Sequence, residues 1–182
     1  NSLIPGIRRV SILDLPMRKL LVPCLLLALA IPAAAYTRTP PLPPGGNGTL
    51  SINQGRGVLQ LNARGSMTGR LNGRLTITDP KPYDSKRPVV YGAKKTIYRS
   101  AKTTVFQGKT LRFKLIGALY QVRIEGKAIF VSAIGRGKGV LDGAGDVTAD
   151  IFFDGVWSLN DEPYKSLPDD PTPFELVAPP TG

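Results

Sequence analysis

The sequence has no histidine and a single cysteine, Cys24, among its 182 residues. Histidine is the usual general base near neutral pH and the commonest metal ligand, and a thiolate is another frequent nucleophile and metal ligand. Their absence argues against Ser-His-Asp triads, Cys-His dyads and most zinc centres. We therefore expect a non-catalytic protein with no cofactor and no metal.

A run near the N-terminus has the pattern of a secretory signal peptide. Met17–Lys19 is a cationic start, Leu20–Ile31 is apolar, and three small residues end at Ala35. We predict a signal helix over 17–35, with cleavage between Ala35 and Tyr36. The protein is then secreted or extracytoplasmic, in a periplasm or at a cell surface, and the mature part is cysteine-free. The apolar run is shorter than the roughly 20 residues of a membrane span, so we expect no span after cleavage.

Composition divides the rest of the chain. Residues 1–16 precede the predicted signal, and we interpret them as a non-native upstream extension. The proline- and glycine-rich stretch 36–47 predicts an extended linker. We assign 48–177 to a single β-domain, in which the acidic stretch 155–177 forms an irregular strap over one end of the sheet. We expect 178–182 to be a loose C-terminus.

Apolar and polar residues alternate over most of the predicted domain. In the run T-L-R-F-K-L, for example, Leu111, Phe113 and Leu115 share one face. Such alternation, interrupted by glycines typical of tight turns, predicts half-buried strands. We therefore predict an all-β fold of about nine short antiparallel strands, arranged either as a small sandwich or as a closed barrel.

The domain also contains an internal echo at an offset of 70 residues. Gly65 matches Gly135 and Leu71 matches Leu141, with conservative matches between them. A repeat of this kind suggests that one structural unit was duplicated. We predict two similar β-meanders, near 48–84 and 118–154.

The charges are distributed unevenly along the chain. Residues 36–138 contain 19 Lys/Arg and three acidic residues, whereas 139–182 contain one basic residue and nine acidic ones. An exposed basic surface attracts polyanions. Alternatively, the acidic segment folds against the basic one and cancels much of its field.

The densest basic stretch contains ten Lys/Arg between Lys81 and Lys114, interleaved with aromatic residues. Cations neutralise phosphates or carboxylates, and aromatic rings stack on bases or sugars. The alternative is a solvated strand face with its aromatic side chains pointing inward. No nucleic-acid recognition motif is present. The candidate binding residues are Lys86, Arg87, Tyr91, Lys94, Lys95, Tyr98, Arg99, Lys102, Lys109, Arg112 and Lys114.

The acidic residues suggest two further hypotheses. Asp142, Asp146, Asp150 and Asp154 recur at every fourth position, which raises calcium binding, although we favour an acidic solvent face because neighbouring members lie about 13 Å apart along a strand. Carboxylates near Trp157 raise a glycan hydrolase as a distant alternative. We interpret Trp157 itself as an anchor in the core or strap.

Two stretches resemble a group of secreted bacterial β-proteins that have no assigned activity. They are TTVFQGKTLRFKLIGALYQVRIEGKAIFVSAIGRGKGVLDGAG from Thr103 and FFDGVWSLNDEPYKSLPDDPTPFEL from Phe152. The resemblance implies a secreted β-fold and no functional residue. Together with the charge pattern, it favours an exported domain that binds an anionic cell-envelope polymer or surface. A purely structural or protein-interaction domain without a ligand is the alternative, and the oligomeric state stays open.

Overall fold

The computed structural model describes residues 41–144 and 154–179. The predicted extension 1–16, the signal peptide 17–35 and its cleavage point at Ala35 and Tyr36 lie outside the described residues. So do positions 36–40, 145–153 and 180–182. In the two described ranges all regular structure is β-strand, and no helix there is long and apolar enough to cross a membrane.

The described strands belong to a single antiparallel sheet, which confirms the all-β prediction. The prediction of about nine short strands is wrong, because β1 and β4 are 31 and 41 residues long. The glycines that suggested turns lie inside these two strands, where the chain bends without reversing. The strands are β1 (Gly48–Thr78), β2 (Val89–Tyr91), β3 (Lys95–Tyr98), β4 (Thr103–Gly143), β5 (Val156–Leu159), β6 (Lys165–Ser166) and β7 (Thr172–Leu176).

The two long strands pair with each other along both of their edges. On one edge of β1, Met67–Thr78 pairs with Thr103–Leu115, and Gly57–Gly65 pairs with Ala118–Gly126. On the other edge, Gly57–Thr78 pairs with Gln121–Gly143. A residue in the middle of β1 therefore lies between two separate parts of β4.

Both members of an echo pair can lie in the middle of the sheet. Leu61 lies between Val122 and Gly139, and its echo partner Val131 lies between Ile52 and Gly69. The predicted meanders are wrong, because the described parts of 48–84 and 118–154 consist mainly of one bent strand each. That the echo arose by duplication stays a prediction.

Several glycines of β1 and β4 face each other across the two ladders. In the pair Gly65–Gly135, a Cβ on Gly65 would overlap the carbonyl oxygen of Ile134, and a Cβ on Gly135 would overlap the carbonyl oxygen of Arg64. The obstacle on each side is backbone, which cannot rotate away as a side chain can. Glycine is therefore required for the observed register at the pairs Gly65–Gly135 and Gly73–Gly126, and at Gly57, where a Cβ would overlap the carbonyl oxygen of Asp142.

One continuous apolar core lies on the inward side of the sheet. The alternation predicted this side correctly, since Leu111, Phe113 and Leu115 are buried. Fully burying side chains of this size contributes about 1.5–3 kcal/mol each. The core also includes buried residues of β1, of the rest of β4 and of the strap, among them Trp157 and Leu176 of the strap.

The acidic strap is more regular than predicted, because it contributes β5, β6 and β7. Strand β5 pairs with Leu50–Asn53 of β1, and β7 pairs with Gly137–Leu141 of β4. The linker and the tail contact each other, since the Ala178 amide donates to the Gly46 carbonyl at 3.1 Å, and Nη1 of Arg136 on β4 donates to the Gly45 carbonyl at 2.9 Å. Sheet order runs β2-β4-β1-β5-β6, with β3 and β7 also on β4, and the sheet is not closed in the described ranges.

We expect Gly65→Ala to destabilise the fold by about 3 kcal/mol, the upper end of the usual cost of overpacking. The methyl group must push the backbone of the opposite strand away, whereas Thr68→Ala, an exposed control on the same strand, should change stability by less than about 0.5 kcal/mol. Urea unfolding of the purified protein measures both. Equal effects of the two substitutions would contradict the close approach at Gly65.

Candidate functional site

The side of β4 that faces away from the core carries Arg112 and Lys114, and we call this side of the sheet the outer face. Strand alternation places Arg112 and Lys114 opposite the buried Leu111, Phe113 and Leu115. The double pairing of β1 then adds residues from distant parts of the sequence to the same face.

One row of side chains crosses four neighbouring strand segments on the outer face. Tyr91 pairs with Arg112, Arg112 with Arg70, and Arg70 with Phe130. The guanidinium carbon of Arg70 lies 4.0 Å from the centre of the Phe130 ring, within cation–π range. Tyr91 is 67% exposed. The row therefore presents two adjacent guanidiniums between two aromatic rings over roughly 14 Å of sheet.

Four to five residues farther along the same strands, about 13 Å from this row, is an open trough with a volume of about 390 Å³. Four cations line it, namely Arg74 on β1, Lys95 on β3, Arg99 just after β3, and Arg123 on β4. Glu125 is the one carboxylate in the lining, and Thr76, Ile97, Val105 and Gln107 complete it. The trough thus has an excess of three positive charges.

Glu125 and Gln107 hold the two β-sheet arginines of the trough in place. The Glu125 Oε1 accepts from Nε of Arg123 at 2.7 Å and lies 2.6 Å from its Nη2. The Glu125 Oε2 lies 3.6 Å from Nη1 of Arg74. With the Gln107 side-chain amide turned so that its oxygen faces Arg74, this oxygen accepts from Nε and Nη2 of Arg74, both at 3.0 Å. Lys95 and Arg99 form no ion pair within the described ranges.

The structure brings some of the predicted binding residues together and separates others. Lys95 and Arg99 line the trough, and Arg112 and Tyr91 belong to the cross-strand row, with Lys114 next to it. The remaining candidates lie in the loop before β2, the turn before β4, and other exposed positions at the edge. These are Lys86, Arg87, Lys94, Tyr98, Lys102 and Lys109.

The aromatic residues between Lys81 and Lys114 differ in whether their side chains face solvent or the core. Tyr83, Tyr91 and Tyr98 are 84%, 67% and 79% exposed, so the inward-pointing alternative is wrong for them. It is correct for Phe106, which packs against the core. Tyr98 pairs with Thr104, on the opposite side of β3 from Ile97 in the trough. Tyr98 is therefore exposed but does not line the trough.

Sequence reasoning missed four of the eight cationic and aromatic residues of the row and the trough, because these four lie outside the dense basic stretch. They are Arg70, Arg74, Arg123 and Phe130. Alternation alone marks Arg70, Arg74 and Arg123 as outward positions of their strands. Their approach to Arg112 and Lys95 depends on long-range pairing, for which the sequence carries no local signal.

The acidic strap lies along different edges from the basic strands. Strands β5 and β7 hydrogen-bond to Leu50–Asn53 and Gly137–Leu141, and β6 pairs with β5. Among the described strands, none from the strap pairs with β2, β3 or the 103–115 part of β4. A few strap charges are used locally, as in the 2.7 Å ion pair between Glu175 and Lys138.

The acidic residues provide little support for the other hypotheses. Within 41–144 and 154–179, no group of three His, Cys, Asp or Glu side chains is placed to hold a metal ion, while Asp146 and Asp150 lie outside these ranges. Trp157 is buried and packs on Phe174, with the ring centres 5.9 Å apart. The interpretation of Trp157 as an anchor is confirmed, and its ring has no open face for a sugar.

Tyr120 attaches the segment before β2 to the sheet. Its hydroxyl donates to the carbonyl of Lys86, and the Lys86 ammonium donates to the Gly117 carbonyl at 2.8 Å. Burial raises the pKa of Tyr120 to about 12, and the negative charges of Asp79 and Asp84 add to the shift. Tyr120 therefore stays neutral and keeps its donor over the whole physiological range.

A scan against protein-family models, a search of curated proteins and a search of solved structures each found no match. The function is therefore inferred from the geometry and charge of the site itself.

We expect the stability that Tyr120 confers to be lost at alkaline pH. Because the pKa is raised on folding from 10.0 to about 12, this contribution is complete below the unfolded pKa and disappears as the pH rises through the folded one. Tyr120→Phe should cost about 1 kcal/mol near neutral pH through the lost hydrogen bond and should flatten the decline above the unfolded pKa.

The control is Tyr164→Phe, at an exposed tyrosine, which should leave the alkaline decline unchanged. Urea unfolding at a series of pH values gives both profiles. Parallel profiles for the Tyr120→Phe variant and the unsubstituted protein would show that Tyr120 does not titrate differently on folding.

Proposed function

We propose that this protein is an exported, non-catalytic β-domain that binds an anionic polymer of the cell envelope through its outer face. The observation that carries the proposal is the row in which Arg112 and Arg70 lie side by side between Tyr91 and Phe130, with the cationic trough about 13 Å farther along the same strands. Export rests on the signal-peptide pattern over 17–35.

The arrangement suits a chain-like anion better than a small ion. Surface charges are screened beyond about 10 Å at moderate salt, so cations reinforce one another only when they are close. Arg70 and Arg112 lie on adjacent strands, which are separated by about 4.8 Å. An extended polymer running along β1 would meet this pair and then, about 13 Å farther on, the trough, and the flanking rings would cover apolar parts of its backbone.

The exposed tyrosines and the position of the acidic strap also support binding. Tyrosine is enriched at binding surfaces, because its ring is apolar and its hydroxyl is polar. The strap strands pair at other edges of the sheet. A purely structural or protein-interaction domain without a ligand is the alternative predicted from the sequence.

We also propose that the sheet curls towards a barrel and does not form a sandwich. The described strands form one sheet, and the described ranges contain no helix to cover its inward side. Nevertheless, Leu75, Ile124 and Leu141 on that side are 0% exposed. A single sheet can bury its own face in this way by curling around it, and the mutual pairing of β1 and β4 along both edges supports such a shape.

We expect Arg70→Gln/Arg112→Gln to reduce retention on immobilised heparin and on isolated cell walls. Binding of the unsubstituted protein should weaken steeply with salt, because each phosphate-like contact contributes a log–log slope of about 0.7–0.9. The double variant should elute at lower salt, with a slope smaller by about 1–2.

The matched control is Arg64→Gln/Arg136→Gln, which removes the same charge from another cross-strand arginine pair on the outer face. It should change retention much less. Equal losses of retention in the two double variants would mean that binding depends on the net charge of the protein and not on the row. Absence of retention of the unsubstituted protein at low salt would contradict the proposal and favour a structural domain.

A further inference from the structure

We propose that the trough is a subsite for a phosphodiester joined to an acyclic polyol, so that the polymer is of the glycerol-phosphate type. This inference rests on the proposed function and narrows its ligand. The trough is the open recess defined above by Arg74, Arg123, Lys95 and Arg99 around Glu125.

The first argument is the number and kind of cations. Two of the four are β-sheet guanidiniums, whose planar donor forks match the oxygens of phosphate. Glu125 and Gln107 fix these guanidiniums before any ligand arrives, so little side-chain entropy is lost on binding. Lys95 and Arg99 add two cations that have no ion-pair partner in the described ranges.

The second argument is the single carboxylate among these cations. Glu125 would repel a ligand that has only anionic groups. Its oxygens can, however, accept hydrogen bonds from hydroxyl groups of a ligand. Its side chain is 29% exposed, so a ligand can reach it. A chain that alternates phosphates with hydroxyl-bearing carbons satisfies both kinds of group, whereas inorganic polyphosphate satisfies the cations alone.

The third argument is the floor of the trough. Ile97 and Val105 are aliphatic, Thr76 adds a hydroxyl, and the lining contains no aromatic ring. Nucleobases and sugar rings generally bind on aromatic platforms, which this floor lacks. Short aliphatic carbons of an acyclic polyol fit against isoleucine and valine side chains. The volume of about 390 Å³ is within the usual range of small-ligand sites and accommodates a short segment of such a chain.

Titration calorimetry with the full protein and a soluble glycerol-phosphate oligomer tests the inference. Polygalacturonate of matched charge number is the carboxylate comparison, and we expect it to bind several-fold more weakly. Lys95→Gln/Arg99→Gln should weaken oligomer binding roughly tenfold. Arg64→Gln/Arg136→Gln, with the same loss of charge, should weaken it by no more than about twofold.

Glu125→Gln distinguishes the polyol from a bare phosphate chain. If hydroxyl groups of the ligand donate to Glu125, this substitution weakens binding of the glycerol-phosphate oligomer and strengthens binding of inorganic polyphosphate. Stronger binding of both would overturn the polyol assignment. Binding to phosphatidylglycerol vesicles without binding to the soluble oligomer would indicate that the ligand is a membrane headgroup and not a polymer. This result would also overturn the polyol-polymer assignment.

Failure of this inference is distinguishable from failure of the proposed function. Retention on cell walls that is lowered by Arg70→Gln/Arg112→Gln, while Lys95→Gln/Arg99→Gln behaves like its control, would reject the trough alone. Absence of retention on heparin and cell walls at low salt would reject both.

Discussion

The close approach of β1 and β4 at their paired glycines is the constraint on which the rest of the structure depends. At Gly65 and Gly135 each backbone occupies the space that a Cβ would need on the other. The same mutual condition recurs at Gly73 and Gly126, and a Cβ on Gly57 would overlap the carbonyl oxygen of Asp142. These contacts let two long strands pair along both edges, and the sheet that results buries the apolar core on one side and gathers distant residues on the other.

The basic character of the protein is consequently a local property of one face. The net charge of +11 counts residues that are far apart, and screening makes their sum a poor guide to binding. What matters is that Arg70 lies beside Arg112, and that Arg74 and Arg123 share a trough with Lys95. The acidic strap pairs at other edges, so the sequence-level balance of charge does not neutralise this face through strand pairing.

The sequence predicted the fold class and the inward side of the sheet, because both follow from local alternation. It misjudged the strands, because a glycine that permits a tight turn and a glycine that permits close strand packing look the same, as at Gly65 and Gly73. Roughly half of the site could be predicted, since Tyr91, Lys95, Arg99 and Arg112 lie in the dense basic stretch. Arg70 and Arg123 could not be placed beside them without the register of the two ladders.

The most direct test is therefore a measurement of that register. In NMR spectra of the folded protein, protons of Thr76 should show cross-strand nuclear Overhauser effects to both Val105 and Arg123, which flank it in the structure. These two contacts define the trough, and both are required for Arg74, Arg123 and Lys95 to converge. Effects to one partner alone, or to neither, would contradict the double pairing and with it the site.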